Sequence, residues 1–247
     1  MSLLLGVNVD HVATLRQARY ALDADSPLAE PSPLEGALAA MRGGADSITI
    51  HVRGDRRHMQ ERDAFEIREK CPLPLNFEMG NTREMLAIVE RVKPDFVCLV
   101  PEKREEVTTE GGLGVVEQLE SIRETVGRLQ GIGSRVSLFI DPDVEQVEAA
   151  GECGAEMVEL HTGCYANAVG LAVNDELERI RVAGERGEEL GLQVNAGHGI
   201  HFKNVESLIS FSFLKELNIG HSLISRAIFV GLEAAVREMR EAMDGGV

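Results

Sequence analysis

Eight short apolar runs rich in β-branched residues recur along the chain: Leu3–Val9, Ser47–Val52, Leu73–Met79, Asp95–Val100, Arg135–Ile140, Glu156–Leu160, Leu192–Asn195 and Phe213–Ile219. Between them lie segments whose apolar residues fall three and four apart, such as Glu84–Val89 and Val144–Ala150. That is the spacing of a helix burying one face. Strand and helix therefore alternate. Eight units in 247 residues average about 31 residues each, the size of a strand–helix repeat, and strands joined through helices run parallel. The economical closure is an α/β fold of the (β/α)8 TIM-barrel type, one domain over residues 1–247. An open doubly wound sheet is the alternative, but no G-x-G-x-x-G follows the first run, where a dinucleotide-binding sheet would carry it. Gly111-Gly112-Leu113-Gly114 is read only as the opening of a helix after the fourth strand.

Two segments break the repeat. Ala21 to Leu34 contains Pro27, Pro31 and Pro33 and is read as a long loop after strand one, expected to close over the barrel mouth when ligands bind. Lys103 to Gly114 is a second long loop, after strand four. Asn81-Thr82-Arg83-Glu84 is suited to cap the helix after strand three, and Asp141-Pro142-Asp143 to start the one after strand five.

Charge limits the partners. With 25 Lys plus Arg against 41 Asp plus Glu, the net charge is −16, which argues against a nucleic-acid binder. Asn8 and Asp10 interrupt the first apolar run before it could serve as a signal or span a bilayer, so a soluble cytoplasmic protein without a membrane segment is expected. Cys71, Cys98, Cys153 and Cys164 form no C-x-x-C pair and read as reduced thiols.

In a barrel of this kind, chemistry sits where strands end and helices begin. Five of the seven histidines fall there: His11, His51, His161, His198 and His221. Any one of them could be a core histidine satisfied by hydrogen bonds; together they point to a convergent polar pocket. A metal is the competing reading, since His198 and His201 could be ligands, but they are three apart in a glycine-containing turn with no H-E-x-x-H helix to fix them, and no metal is expected. Glu78 follows an apolar strand, and desolvation there would raise its pKa towards neutrality, which suits proton transfer; the plain alternative is an ion pair with arginine. Asp141 sits similarly, but Pro142 favours a helix-start role. Arg16 and Arg19 follow strand one, Arg53, Arg56 and Arg57 strand two, Lys103 and Arg104 strand four. In so acidic a chain this implies an anionic ligand, and Gly220-His221-Ser222 adds backbone N–H groups at a helix start after strand eight, where barrels commonly hold phosphate. Arg56 and Arg57 are equally well explained as a solvated surface run.

The exits also read as motifs: Gly6-Val-Asn-Val-Asp-His11-Val-Ala-Thr-Leu-Arg16, His51-Val-Arg53-Gly-Asp-Arg-Arg-His58, Asn76-Phe-Glu78-Met, and Leu99-Val-Pro-Glu-Lys-Arg104 with Val107-Thr-Thr-Glu-Gly-Gly112. Ser137-Leu-Phe-Ile-Asp141, Glu159-Leu-His-Thr-Gly-Cys-Tyr165, Val194-Asn-Ala-Gly-His-Gly199 and Glu216-Leu-Asn-Ile-Gly-His221 complete the set. In this order, from strand one to the last helix, the chain closely resembles the pyridoxine 5′-phosphate synthase family. The resemblance implies condensation of 3-amino-2-oxopropyl phosphate with 1-deoxy-D-xylulose 5-phosphate to give pyridoxine 5′-phosphate, phosphate and water, with no cofactor. It implies that His51 and Glu78 are proton acceptors and His198 the proton donor. Asn8, Arg19, Gly199, Gly220 and His221 would hold the aminoketone phosphate, and Asp10, His11, Arg53, His58 and Thr108 the deoxyxylulose phosphate. A homo-octamer is implied as well.

Two other functions fit parts of the pattern. A phosphosugar epimerase or Schiff-base aldolase shares the phosphate and acid–base requirements, but an aldolase needs a lysine in the mouth, and of five lysines only Lys103 lies at a strand exit. A non-catalytic phosphometabolite-binding protein leaves the convergence of histidines unexplained.

Overall fold

The computed structural model describes residues 2–21, 23, 26, 28–101 and 111–245. The first half runs β1 (Leu4–Asn8), α1 (Asp10–Tyr20), α2 (Pro33–Gly43), β2 (Ser47–His51), α3 (Glu61–Lys70), β3 (Leu75–Met79), α4 (Arg83–Val92) and β4 (Phe96–Leu99). A 3-10 turn (Val116–Gln118) then leads to α5 (Leu119–Gly131), β5 (Arg135–Ile140), α6 (Val144–Glu152), β6 (Met157–His161), α7 (Gly163–Asn167) and α8 (Ala172–Glu189). The chain ends with β7 (Gln193–Gly197), α9 (Val205–Ile209), β8 (Leu214–Ile219), α10 (His221–Val230) and α11 (Leu232–Met243). All neighbouring strands pair in parallel in chain order, and β8 closes on β1. The eight-stranded barrel read from the sequence is the fold.

Helix boundaries follow side-chain chemistry. Thr82 caps α4 by accepting from the Met85 N–H, as its position predicts. At α6 the cap is Asp143, accepting from Glu145 N–H, which leaves Asp141 available for another role. The loop expected to run to Leu34 stops at Ser32. Ser32 caps α2 and Pro33 occupies its first turn, where a missing N–H costs nothing. Residues 22, 24, 25, 27 and 102–110 lie outside the described residues, and with them much of the expected lid, Lys103, Arg104 and Thr108.

The strands bury both faces, and the two faces differ. Leu5, Val7, Ile48, Ile50, Phe77, Leu99, Leu138, Val158, Leu160 and Leu217 belong to the continuous apolar core shared with the helices. The alternate residues form an inner row set by the strand register: Thr49 beside Asn76, His51 beside Glu78, Cys98 beside Ser137, Phe139 beside Glu159, Glu159 beside Asn195, and Gly197 beside Asn218. Most barrels fill this space with branched aliphatics; here it is a hydrogen-bonded polar network. Asn76 Nδ2 donates to Thr49 Oγ1 at 3.2 Å, Thr49 Oγ1 to Asn218 Oδ1 at 3.1 Å, and Asn218 Nδ2 to Glu159 Oε2 at 2.6 Å. Ser47 Oγ donates to Glu216. Gly6 and Gly197 make room for it: a Cβ would lie 2.0 Å from Asn218 Oδ1 at the first and 2.0 Å from Glu159 Oε1 at the second.

Arg16 belongs to the scaffold, contrary to its expected place among cations at the mouth. Fully buried, it forms a bidentate pair with Asp63, at 2.6 Å and 2.7 Å, and donates to the His58 carbonyl at 3.2 Å. Removing one member of such a pair strands the other charge in the interior. Arg16→Leu should therefore lower the unfolding free energy by about 3–5 kcal/mol. Urea denaturation checks this, and a loss within experimental error of zero would contradict the structural role.

Candidate active site

The carboxyl ends of the strands gather the site residues onto one face of the barrel. At the β1 exit, Asp10 is buried and clamps two strands together. Its Oδ1 accepts from the His51 N–H at 2.8 Å, its Oδ2 accepts from Asn8 Nδ2 at 2.9 Å, and its own N–H donates to Asn8 Oδ1 at 2.9 Å. This fixes His51 relative to β1 while the β2–β3 register sets it against Glu78. His51 Nδ1 lies 3.6 Å from Glu78 Oε2.

Burial governs the titration of Glu78. Desolvation, reinforced by the charges of Glu159 and Asp10 and opposed by Arg53, raises Glu78 well above the ordinary carboxylate range. The environment expected for Glu78 is present, and the cation that acts on it is Arg53. That side chain is buried, yet its guanidinium makes no hydrogen bond or ion pair among the described residues. Arg56, by contrast, pairs with Glu61 at 3.0 Å and Glu84 at 2.6 Å, and Arg57 pairs with Asp55 at 2.7 Å. Those two are surface pairs.

His58 joins the same cluster. Its Nδ1 accepts from the Met59 N–H at 2.8 Å, which leaves Nε2 as the protonated, donating nitrogen of the neutral ring. Burial lowers the pKa of His58, with Asp10 opposing and His51, Arg53 and His11 adding to the fall. His11 and His221 join the exits of β1 and β8 through an Nδ1–Nδ1 contact of 3.0 Å, in which one ring must donate. Burial, then His221, lowers His11, with Asp10 opposing. Gly220 precedes α10 and packs on Asn8, to whose Cβ an added Cβ would come within 3.1 Å. The N–H groups of the first turn of α10 have no acceptor within the helix.

Across the mouth, His198 follows β7 in a left-handed conformation, φ 77°, unusual for a residue other than glycine. Thr162 holds it there, its hydroxyl donating to the carbonyl oxygens of His198 at 2.6 Å and Gly197 at 2.9 Å. Burial, and secondarily His161, push the His198 imidazole down to about 4. Gly199 shares the left-handed turn at φ 76°. His201 instead accepts from the Lys203 N–H at 3.1 Å. Among the described residues no three His, Cys, Asp or Glu side chains are grouped as a metal-ligand set.

Two expected site residues remain. Arg19 lies exposed in the last turn of α1, about nine residues or roughly 14 Å along the helix from Asp10. Thr108 is outside the described residues. In return the structure adds groups that the sequence reading passed over. Asp141, assigned to a helix start, accepts from the Gly112 N–H at 3.0 Å and lies 3.0 Å from His161 Nδ1. Glu159, buried beneath the mouth, is raised to about 8 by desolvation, with the Asn218 hydrogen bond opposing and Glu216 adding. Only its place on the inner face of a strand, two residues before His161, could have marked it in the sequence.

Fold and site together define a TIM-barrel enzyme whose mouth is built for acid–base chemistry. The family model described as "Pyridoxal phosphate biosynthesis protein PdxJ" matches residues 5–245. A pyridoxine 5′-phosphate synthase of Akkermansia muciniphila is 60% identical over 98% of this chain and 99% of its own. One from a Synechococcus strain is 53% identical over 98% of each. The chain belongs to the pyridoxine 5′-phosphate synthase family of enzymes. Among solved structures, KGPDC from Streptococcus mutans superposes with a TM-score of 0.67 at 9% identity, covering 99% of both chains, and a 3-hexulose-6-phosphate synthase with 0.65 at 16%, covering 97% of this chain and 99% of its own. At such identities these show the shared barrel alone.

The raised Glu159 has a consequence for stability. In the fold it keeps its proton up to about pH 8, whereas the unfolded side chain releases it near 4.5, so between these values the folded state binds more protons. Stability contributed by this group is therefore lost as pH rises across that window. In Glu159→Gln the decline should be shallower, by up to about 1.4 kcal/mol per pH unit. Urea unfolding of both proteins from about pH 5 to pH 8 measures the difference; parallel curves would show that Glu159 is ionised in the fold.

Proposed function

We propose that this mouth condenses 3-amino-2-oxopropyl phosphate with 1-deoxy-D-xylulose 5-phosphate, with His51 and Glu78 as proton acceptors and His198 as the donor. The observation that carries this reading is the His51–Glu78 contact of 3.6 Å, desolvated at the ends of adjacent strands and within the field of the Arg53 guanidinium. The reaction needs such a group. An amine adds to a ketone and water leaves; C–H protons are then removed, phosphate is eliminated, and a second carbonyl closes the ring. Each step moves a proton at a different atom, so several groups titrating near neutrality are required. A carboxyl with raised proton affinity is a strong base once ionised, and His51 is near enough to take the proton over between steps. The substrate supplies its own amine, so no lysine is needed.

The two phosphates occupy opposite sides of the cluster in this reading. Arg53, His58 and His11, with Asp10 and Thr108, take the deoxyxylulose phosphate, where the Nε2–H of His58 and the Arg53 guanidinium offer donors. His221, Gly220, Gly199 and Asn8, with Arg19, take the aminoketone phosphate, aided by the first-turn N–H groups of α10. The His11–His221 contact joins the two halves, as a reaction between two bound substrates requires. The reading includes a cytoplasmic homo-octamer acting without a cofactor. No described helix is long and apolar enough to cross a membrane. Ile228 and Phe229, exposed at the end of α10, are apolar surface of the kind that self-association covers.

Mixing the protein with both phosphorylated substrates should produce the pyridine chromophore together with stoichiometric phosphate; formation of neither product would favour the alternative phosphosugar epimerase or aldolase. Glu78→Gln should retain both ligands while losing roughly 10²-fold or more in turnover. Near-normal turnover would remove Glu78 from the chemistry. Arg53→Ala should weaken binding of the deoxyxylulose phosphate, measured by calorimetry, far more than that of the aminoketone phosphate. Equal weakening of both would leave Arg53 without a defined phosphate.

A further inference from the structure

Beside His198 the mouth holds another imidazole to which the reading above gives no task. His161, the last residue of β6, is buried, with Nδ1 3.0 Å from Asp141 Oδ1. Its Nε2 is buried too and has no hydrogen-bond partner among the described residues. Buried polar atoms are nearly always paired, so an unpaired ring nitrogen beside a proposed proton donor points to a transient partner. The His161 and His198 rings meet edge to face, centroids 4.9 Å apart, and Phe139 packs against His161 at 5.1 Å. Gly163 keeps the space between them open: a Cβ there would lie 2.5 Å from His161 Nε2 and 3.1 Å from His198 Cδ2. Among the described residues the titratable groups in contact with His161 are Asp141 and His198, while Arg179, on α8, acts on Asp141.

We propose that Asp141 and His161 form a proton-holding pair that recharges His198, His161 passing a proton from Nε2 across the Gly163 gap as His198 gives its own to a departing oxygen. The proposal rests on the assignment of His198 as donor. At neutral pH an imidazole pushed down to about 4 is uncharged, and donation from it alone would leave an imidazolate. With the relay, one N–H bond breaks at His161 Nε2 and one forms on His198, while the N–H bond of His198 breaks towards the hydroxyl that leaves as water. His161 ends neutral with Nδ1–H still bonded to Asp141, and solvent restores its proton. The carboxylate receives the Nδ1–H and fixes the orientation of the ring, the work that an aspartate does for histidine in hydrolytic triads. His161 acts through His198 and is a positioning residue for it; no contact with substrate is required.

The test is the pH dependence of kcat in Asp141→Asn, which keeps an oxygen acceptor for Nδ1 but removes the charge. Turnover should fall roughly 10²-fold with KM little changed, and the alkaline limb of the profile should move to lower pH, because the negative charge of the pair is gone. Unchanged turnover with an unmoved limb overturns the proposal. If that variant does not fold, ¹⁵N NMR of the histidine side chains in the native enzyme decides the matter. Both nitrogens of His161 protonated at neutral pH, with His198 uncharged, is the expected result, and an uncharged His161 overturns it. His198→Asn distinguishes the two levels of the argument. Near-normal turnover there removes the donor assignment and the relay with it, whereas lost turnover there with an unmoved limb in Asp141→Asn removes the relay alone.

Discussion

Desolvation inside a closed ring of strands is the constraint on which this site depends. A parallel barrel wrapped in helices excludes bulk water from its interior, and the inner row of this one carries carboxyl groups where most barrels carry aliphatic side chains. Glu78, Glu159 and Glu216 are all shifted upward chiefly by burial. An isolated buried carboxylate would cost far more than a domain's margin of stability, so the groups bind protons instead. The site thereby acquires carboxyl groups that hold their protons above the ordinary carboxylate range. The same burial lowers His11, His58 and His198, which keeps those rings uncharged and available as donors and acceptors.

A desolvated group is useful only if it is held still. The scaffold does this with short polar locks between neighbouring strand exits: Asp10 ties β1 to the His51 amide, Thr162 pins the backbone of His198, and Asp141 holds His161 while accepting from Gly112 after strand four. Each lock bridges elements far apart in sequence. The buried Arg16–Asp63 pair and the His58 carbonyl it binds extend the same bracing beneath the cluster. Preorganisation of this kind lets proton transfer proceed without first rearranging the surroundings.

Strands were legible in the sequence because their outward faces are apolar and their spacing is regular; their ends carry the histidines that mark the mouth. The inner row was harder to see. Asn76, Glu159, Asn195, Glu216 and Asn218 alternate with apolar neighbours, and a run read as uniformly buried conceals that alternation unless the period of two is followed residue by residue. Asp141 and Asp143 flank the same proline, and which one caps α6 depends on backbone geometry absent from the sequence. Arg16 and Arg53 are both arginines beyond a strand, yet one pairs with a buried aspartate from α3 and the other forms no ion pair or guanidinium hydrogen bond among the described residues. The distinction is that between an ion pair and a longer-range field, since Arg53 acts on Glu78 without hydrogen-bonding it, and the pair of Arg16 is set by a tertiary contact across 47 residues of sequence. Position identified the carboxylate and histidines of the site; partners decided which cations belong to the scaffold.

The dependence on desolvation is open to direct measurement in the resting enzyme. Infrared difference spectra between the native protein and Glu78→Gln at neutral pH report the protonation state of this one side chain through its carboxyl stretch. A carboxyl band that disappears in the variant, and that converts to carboxylate at higher pH than an exposed glutamate would, is the expected result. Conversion in the ordinary carboxylate range would mean that Arg53 outweighs burial, and that the barrel does not set the titration of this group in the way described.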